Sequence, residues 1–233
     1  MKNQYFGDIN DFHKYDLALS MMQACSLRTF TFVVMLTKDG DTGDGDKTSY
    51  ECGARAATLY AFLRDRVLTN RRAVRELGPF LGRHGIHSSL LLDDISEVDR
   101  EKYFAQIGEE QLQTALIFLD PDNGLEVPST RPGSLPKYVR YSEVLDLYTR
   151  MSYDSLLMVY QHFPHMERQR FFDMMAQRIR ERVGPLGCAC YAPDEAVAYF
   201  FLSKDDRRKE QIAHLLPAYH AKIGAAHCLP NLI

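Results

Sequence analysis

The chain has 233 residues, 45% of them hydrophobic and 25% charged, a balance that excludes a disordered or fibrous chain and leaves room for one sizeable core. Its 28 Lys and Arg against 31 Asp and Glu give a formal net charge of -3, so no global positive field advertises a polyanionic partner, although a local basic face suffices for phosphate contacts. No apolar run approaches the ~18 residues a membrane span needs, and the five cysteines show neither CxxC spacing nor a secretory leader, so the expectation is a cytoplasmic protein with reduced thiols and no membrane partner.

In chain order, "FGDINDFHKY" (residues 6–15) packs Asp8, Asn10, Asp11, His13 and Lys14 into seven positions. Asp8 or Asn10 is a candidate cap for a helix beginning near Asp11, which would leave His13 and Lys14 on a solvated face. The aromatic residues on both sides favour a segment packed down as the wall of a site. "RTFTFVVML" (28–36) is β-branched and aromatic, and is predicted to be a buried strand. It runs into the polar loop "TKDGDTGDGDKTS" (37–49), whose glycines would let the backbone approach a ligand. The loop has neither a GxGxxG fingerprint nor a P-loop GK[ST], and its four Asp do not fit EF-hand spacing, so a mobile acidic loop is the plainer reading.

An Arg-rich helical pattern over about 53–82 reads as a helical insertion. "HSSLLLDD" (87–94) is predicted as a second strand with Asp93 and Asp94 at its carboxyl end, and Ser96 followed by acids as a helix start. "LIFLDPDNGLEV" (116–127) is a strand that leaves the core through Asp120, Pro121, Asp122, Asn123 and Gly124. A second polar loop covers 128–137. A helix over 141–148, a strand over 155–164 and a helix over 167–184 follow, then an antiparallel pair (186–193 and 196–203) and a helix over 207–223. Strands alternating with helices predict a single α/β domain spanning 1–233, Rossmann-like and doubly wound, with a mostly parallel sheet and a C-terminal antiparallel hairpin. Ligands of such sheets bind outside the carboxyl ends of the strands, where the acidic and glycine-bearing segments fall.

Asp120 directly follows the apolar run, a rigid position from which a carboxylate can coordinate Mg²⁺, accept a hydrogen bond from an amine or act as a base. Asp122 and Asn123 are equally well read as turn formers. Gln161, His162 and His165 leave the next strand and suggest a substrate-facing wall. No zinc spacing and no Gly-x-Ser-x-Gly elbow is present.

The order of these pieces resembles the class I S-adenosylmethionine-dependent methyltransferases, and more narrowly the ribosomal-RNA adenine-N6 methyltransferases of the large-subunit J type. That family opens with Ala-Gly-Asn-x-x-Asp-x-x-Lys-His. Here Gly7, Asp8 in the Asn place, Asp11 and Lys14 match it, with Tyr15 in place of His. The resemblance implies S-adenosylmethionine as cofactor and a nucleic-acid (RNA or DNA) or nucleotide substrate. It puts Asp8, Asp11 and Lys14 at the cofactor edge, Thr37, Gly40, Gly43 and Gly45 at its methionine side, and Asp93 or Asp94 on its ribose. "DPDN" falls on the Asp/Asn-Pro-Pro-aromatic motif, which puts Asp120 at the reacting group and makes Asp120, Asp122, Lys14 and His162 the candidate catalytic residues. Asp122 and Asn123 stand where that motif has its second proline and its stacking aromatic ring. The arginines at 64, 66, 71, 72 and 75, and those over 168–182, are candidate phosphate-facing residues, solvated helix faces being the plainer reading for most.

The same residues support two rivals. Asp120-x-Asp122 after a hydrophobic strand also resembles the metal pair of Toprim-type nucleases and haloacid-dehalogenase-like phosphatases. Asp8, Asp11, Asp120 and Asp122 would then hold Mg²⁺ in a nuclease or phosphoesterase. The acidic cofactor loop alternatively fits a non-catalytic binding protein on a degenerate methyltransferase fold.

Overall fold

The computed structural model describes residues 1–40, 45–50, 56–163, 166–185, 188–192, 197–223 and 227–229, with 188–192, 220–223 and 227–229 described by their backbone alone. A seven-stranded sheet forms the centre, built from β1 (Thr29–Val33), β2 (His87–Leu91), β3 (Ala115–Leu119), β6 (Leu156–His162), β7 (Cys188–Ala192), β8 (Val197–Leu202) and β9 (His227–Leu229). Two short strands, β4 (Gly124–Leu125) and β5 (Tyr138–Val139), pair in a separate ribbon. The sheet order is β2-β1-β3-β6-β8-β7-β9. The pairs among β2, β1, β3 and β6 are parallel, and those joining β6, β8, β7 and β9 are antiparallel. The result is a Rossmann-like α/β fold with its antiparallel hairpin at the C-terminal side.

Two-residue periodicity divides the core cleanly. Phe30 and Phe32 of β1, Leu116 and Phe118 of β3 and Met158 of β6 face one hydrophobic cluster. Val33, Ile117, Leu119, Leu157 and Val159 face the other. A strand buried on both faces has no polar side to show, which is why β3 reads as a run of five apolar residues. The first cluster is closed by α1 (Ile9–Ala24), α2 (Ala57–Leu68), α3 (Leu77–Arg83) and α7 (Asp206–Ile223), through residues such as Phe12, Leu63, Phe80 and Leu216. The second is closed by α4 (Arg100–Ala105), α5 (Tyr141–Arg150) and α6 (Arg168–Arg182), through Tyr103, Leu147, Phe172 and Ile179. Among the described residues no helix is long and apolar enough to cross a membrane.

Several boundaries move from their sequence-based positions for local reasons. The helix expected to open at Ser96 opens at Arg100, because Asp99 is the cap: its side chain accepts from the backbone N–H of Lys102 at 2.9 Å. Ser96 instead closes a turn on Asp94. The Arg-rich segment forms the β1–β2 crossover, with α2 and α3 packed on the first cluster. The polar loop after β4 carries a 3-10 turn over Pro132–Lys137, held by Arg100, which pairs with Glu143 and donates to the carbonyls of Leu135 and Tyr138. The small β4–β5 ribbon and β9 were not anticipated, since strands of two or three residues are too short to show a period.

Phe32 and Phe118 stack across the β1–β3 pair with centroids 5.0 Å apart and planes 6° off parallel, both fully buried. Phe118→Ala is expected to lower the unfolding free energy by about 3–5 kcal/mol in urea titration. Leu68→Ala, at a side chain 75% exposed, should stay within about 0.5 kcal/mol of wild type.

Candidate functional site

The chain leaves β1 and β3 in opposite senses of the sheet order, since β2 lies outside β1 and β6 outside β3. The crevice at the carboxyl ends of β1 and β3 is therefore the topological switch point, where α/β sheets of this type bind ligands. A cavity of about 470 Å³ opens there, bounded by the start of α1 (Asp8, Asn10, Asp11, Lys14), the loop after β1 (Gly45, Asp46, Lys47), the turn after β3 (Asp122, Asn123) and the end of β6 (Tyr160, His162), with Lys2, Tyr5 and Lys137 at its sides.

Asp8 caps α1 by accepting from the backbone N–H of Asp11 at 2.8 Å. The helix register then brings Asp11, Lys14 and Tyr15 to one side, and that side points into the molecule. Lys14 is 5% exposed, so the segment is packed down, as its flanking aromatic residues suggest, and does not present Lys14 on a solvated face. Its Nζ donates to Asp120 Oδ2 at 2.7 Å and to Asp11 Oδ1 at 3.1 Å, and lies 5.2 Å from the centre of the Tyr160 ring. The Tyr15 hydroxyl donates to the other Asp11 oxygen at 3.1 Å. A single buried ammonium thus ties α1 to the end of β3, and a buried ion pair of this kind is tolerated only when its remaining hydrogen-bonding capacity is filled.

The Asp120-x-Asp122 pair turns its two carboxylates to different cations. Asp122 Oδ1 lies 2.8 Å from the amino group of Met1 and Oδ2 accepts from the Thr37 hydroxyl at 2.7 Å. The Met1 amino group also donates to the carbonyl of Met35 at 2.9 Å. Met35 sits at φ +49°, a left-handed conformation uncommon for its residue type, with its N–H on the Tyr103 hydroxyl at 3.0 Å. Among the described residues no three of His, Cys, Asp and Glu gather in a group that could hold a metal ion.

Burial sets the ionisation of this cluster. It pushes the Asp11 carboxyl up to about 7, with Lys14 opposing and Asp8 and Asp120 adding to the rise. Asp120 and Asp8 are raised for the same first reason, against the pull of Lys14 on Asp120 and of the Asp11 N–H on Asp8. Burial also works against the Lys14 charge, but Asp11 and Asp120 outweigh it, so the ammonium is held above its ordinary value and stays charged. Asp122 is buried too, yet the Met1 amino group and the Thr37 hydroxyl bring it below the usual carboxylate range.

The structure brings together Asp8, Asp11, Lys14, Gly45, Asp122 and His162 as cavity wall, with Asp120 behind Lys14 and Thr37 behind Asp122. Gly40 is exposed and donates its N–H to the Gln4 side chain, away from the cavity lining. Gly43 lies outside the described residues, as does His165. Asp93 and Asp94 do not line the cavity: Asp93 is exposed and meets Gln106 at 3.3 Å, and Asp94 closes its turn with Ser96. The β2 end is separated from the cavity by the continuation of β1, whose Leu36 bridges to Asp94. Tyr5, Lys2 and Tyr160 were missed by sequence reasoning, and only the alternation that faces Tyr160 away from Gln161 could have pointed to one of them.

Gln161, 2% exposed, also shapes the site without lining the main cavity. Its Oε1 accepts from the Leu125 N–H at 2.9 Å, and its Nε2 donates to the carbonyls of Asn123 at 3.0 Å and His162 at 2.8 Å. The amide therefore clamps the turn after Asp122 against β6. Gly124 makes this close approach possible: its φ is +110°, and a Cβ there would stand 2.4 Å from the Gln161 amide.

Because the three hydrogen bonds hold that amide in place, Gly124→Ala is expected to destabilise the fold by more than about 2 kcal/mol, read as a drop in the urea midpoint. Asp11 gives a second prediction. The folded protein retains the Asp11 proton up to about 7 while the unfolded chain loses it near 3.8, so folding binds a proton in that window and stability falls as pH rises through it. Asp11→Asn should gain stability relative to wild type between those pH values and show a constant difference above them. A flat difference across the whole range in paired denaturant titrations would refute the assignment.

Compared with protein-family models, with curated proteins and with solved structures, the chain matches none of them, so its function is read from this geometry.

Proposed function

We propose that the chain is an S-adenosylmethionine-dependent methyltransferase acting on a nucleic-acid or nucleotide substrate. The observation that carries the reading is the cavity at the switch point, with buried acids on its floor and exposed lysines at its rim. Lys47 and Lys137 are exposed and Lys2 is half-buried at the opening, while Asp8 and Asp11 are 4% and 1% exposed inside. Phosphates approaching from outside would meet the lysines first. The sheet order supports the same reading: the antiparallel β8 is inserted between the co-directional β6 and β7, which is the closing hairpin that the resemblance implies.

The cavity's volume of about 470 Å³ suits a nucleoside-sized cofactor. Asp8, Asp11, Gly45 and Asp122 would hold it, and the group would supply an electrophilic methyl. Asp120 stands at the end of β3, with its carboxylate oriented by Lys14, and orients the reacting end of the site through that fixed position. His162 ends β6 exposed on the cavity wall and can accept the proton that the acceptor loses. Asp93 and Asp94 take no part in this arrangement.

Titration calorimetry tests the reading. S-adenosylmethionine should bind with a micromolar dissociation constant and be lost in Asp122→Ala, and labelled methyl should pass to an RNA, DNA or nucleotide fraction. Lys47→Ala combined with Lys137→Ala should make the dependence of log affinity for nucleic acid on log salt shallower by about 2. Silence towards the cofactor, with Mg²⁺-dependent phosphate release that Asp120→Ala and Asp122→Ala abolish, would replace the transferase by the phosphoesterase. Silence towards both would leave a binding protein.

A further inference from the structure

Tyr160 is 9% exposed and lines the cavity, yet its hydroxyl makes no hydrogen bond to any of the described residues. Its ring, by contrast, is held on two sides. The Lys14 ammonium lies 5.2 Å from the ring centre. Tyr199, directly opposite on β8, meets the ring edge-on, with centroids 5.8 Å apart and planes at 72°. The ring also belongs to the first core cluster, so its position is fixed by contacts in which the hydroxyl takes no part. Alternation along β6 separates Tyr160 from the clamp that holds the Asp122 turn. Gln161 faces the other way with its amide spent on three backbone groups. Tyr160 and His162 share the cavity face about 7 Å apart, the tyrosine deep and the histidine exposed.

A nearly buried hydroxyl without a protein partner does nothing for the fold that a phenylalanine would not do as well, since both ring contacts would survive the loss of one oxygen. We infer that the Tyr160 hydroxyl is a ligand-binding group of this cavity, donating to a neutral acceptor of the ligand such as a hydroxyl oxygen or a ring nitrogen. Burial raises the phenol above its ordinary range, with Lys14 opposing and the carboxylates of Asp120, Asp8 and Asp11 adding to the rise, so the hydroxyl keeps its proton and remains a donor. Lys14 already shares its charge between Asp120 and Asp11. A negatively charged acceptor beside Tyr160 would therefore face the carboxylates with little compensation, whereas a neutral one meets no such penalty. The inference deepens the functional reading above and rests on it, since it assigns the deep end of the same cavity a contact to the ligand.

Tyr160→Phe in the full chain tests it through two readouts that a structural hydroxyl would move differently. Without ligand, the variant should melt at the wild-type temperature or above it, because no hydrogen bond within the protein is lost. Dissociation constants are then measured by calorimetry for S-adenosylmethionine and for 5′-methylthioadenosine, which keeps the adenosine and sulfur of the cofactor but lacks its carboxylate and its charges. Both should bind the variant about tenfold more weakly. A loss confined to S-adenosylmethionine would place the carboxylate on Tyr160 and overturn the neutral acceptor. Wild-type affinities in the variant, or a melting temperature several degrees lower without ligand, would refute the inference and leave the methyltransferase reading standing. If S-adenosylmethionine fails to bind the wild type while 5′-methylthioadenosine binds it and loses tenfold in the variant, the methyltransferase reading falls and the Tyr160 contact stands. Failure of both probes to bind the wild type overturns both.

Discussion

The site depends on one ammonium group buried between two elements that are 106 residues apart in sequence. Lys14 joins Asp11, on its own helix, to Asp120 at the end of β3. Removing it would leave carboxylates facing one another at 1% exposure, in a place where water cannot compensate. The constraint runs outward from there. It fixes the rotation of α1, so that Phe12, Tyr15 and Met21 close the first core cluster. It also fixes the end of β3, from which the turn through Asp122 to Gly124 departs.

That turn is held from its far side by a different kind of contact. Gln161 uses its whole amide on three backbone groups, and a glycine at positive φ lets it come close enough to do so. The cavity between these two devices is therefore rigid on its α1 and β6 walls. Rigidity matters for the electrostatics: carboxylates held apart from solvent have their ionisation set by the few groups fixed around them. The same burial raises the Asp11 carboxyl to about 7, a perturbation of the kind that collects at functional sites.

Much of the architecture was legible because strands buried on both faces must be apolar throughout. Residues 28–36, 116–120 and 155–163 could hardly be anything else. The antiparallel pair near the C-terminus was legible as two apolar runs separated by a short polar break. Helix starts were less so, since Ser96 and Asp99 carry equal capping chemistry and only the three-dimensional turn at Asp94 selects between them. The elements of two or three residues, β4, β5 and β9, leave no periodic trace. For the site, Asp120 and the cluster from Asp8 to Lys14 stood out by their position beside apolar and aromatic residues. Asp93 and Asp94 stood out on the same grounds and lie elsewhere, because the continuation of β1 to Leu36 runs between them and the cavity.

By itself the sequence determined the layer order, the buried strands and the presence of acids at their carboxyl ends, because hydrophobic periodicity is local and every strand carries its own record of which face is buried. Only the tertiary structure decided that Lys14 is inside the protein and not on a solvated face, and that Asp120 and Asp122 look towards different cations. Those outcomes depend on which charges meet across the sheet. No local pattern encodes a contact between residues 14 and 120, since its energy exists only once the fold has removed the water between them.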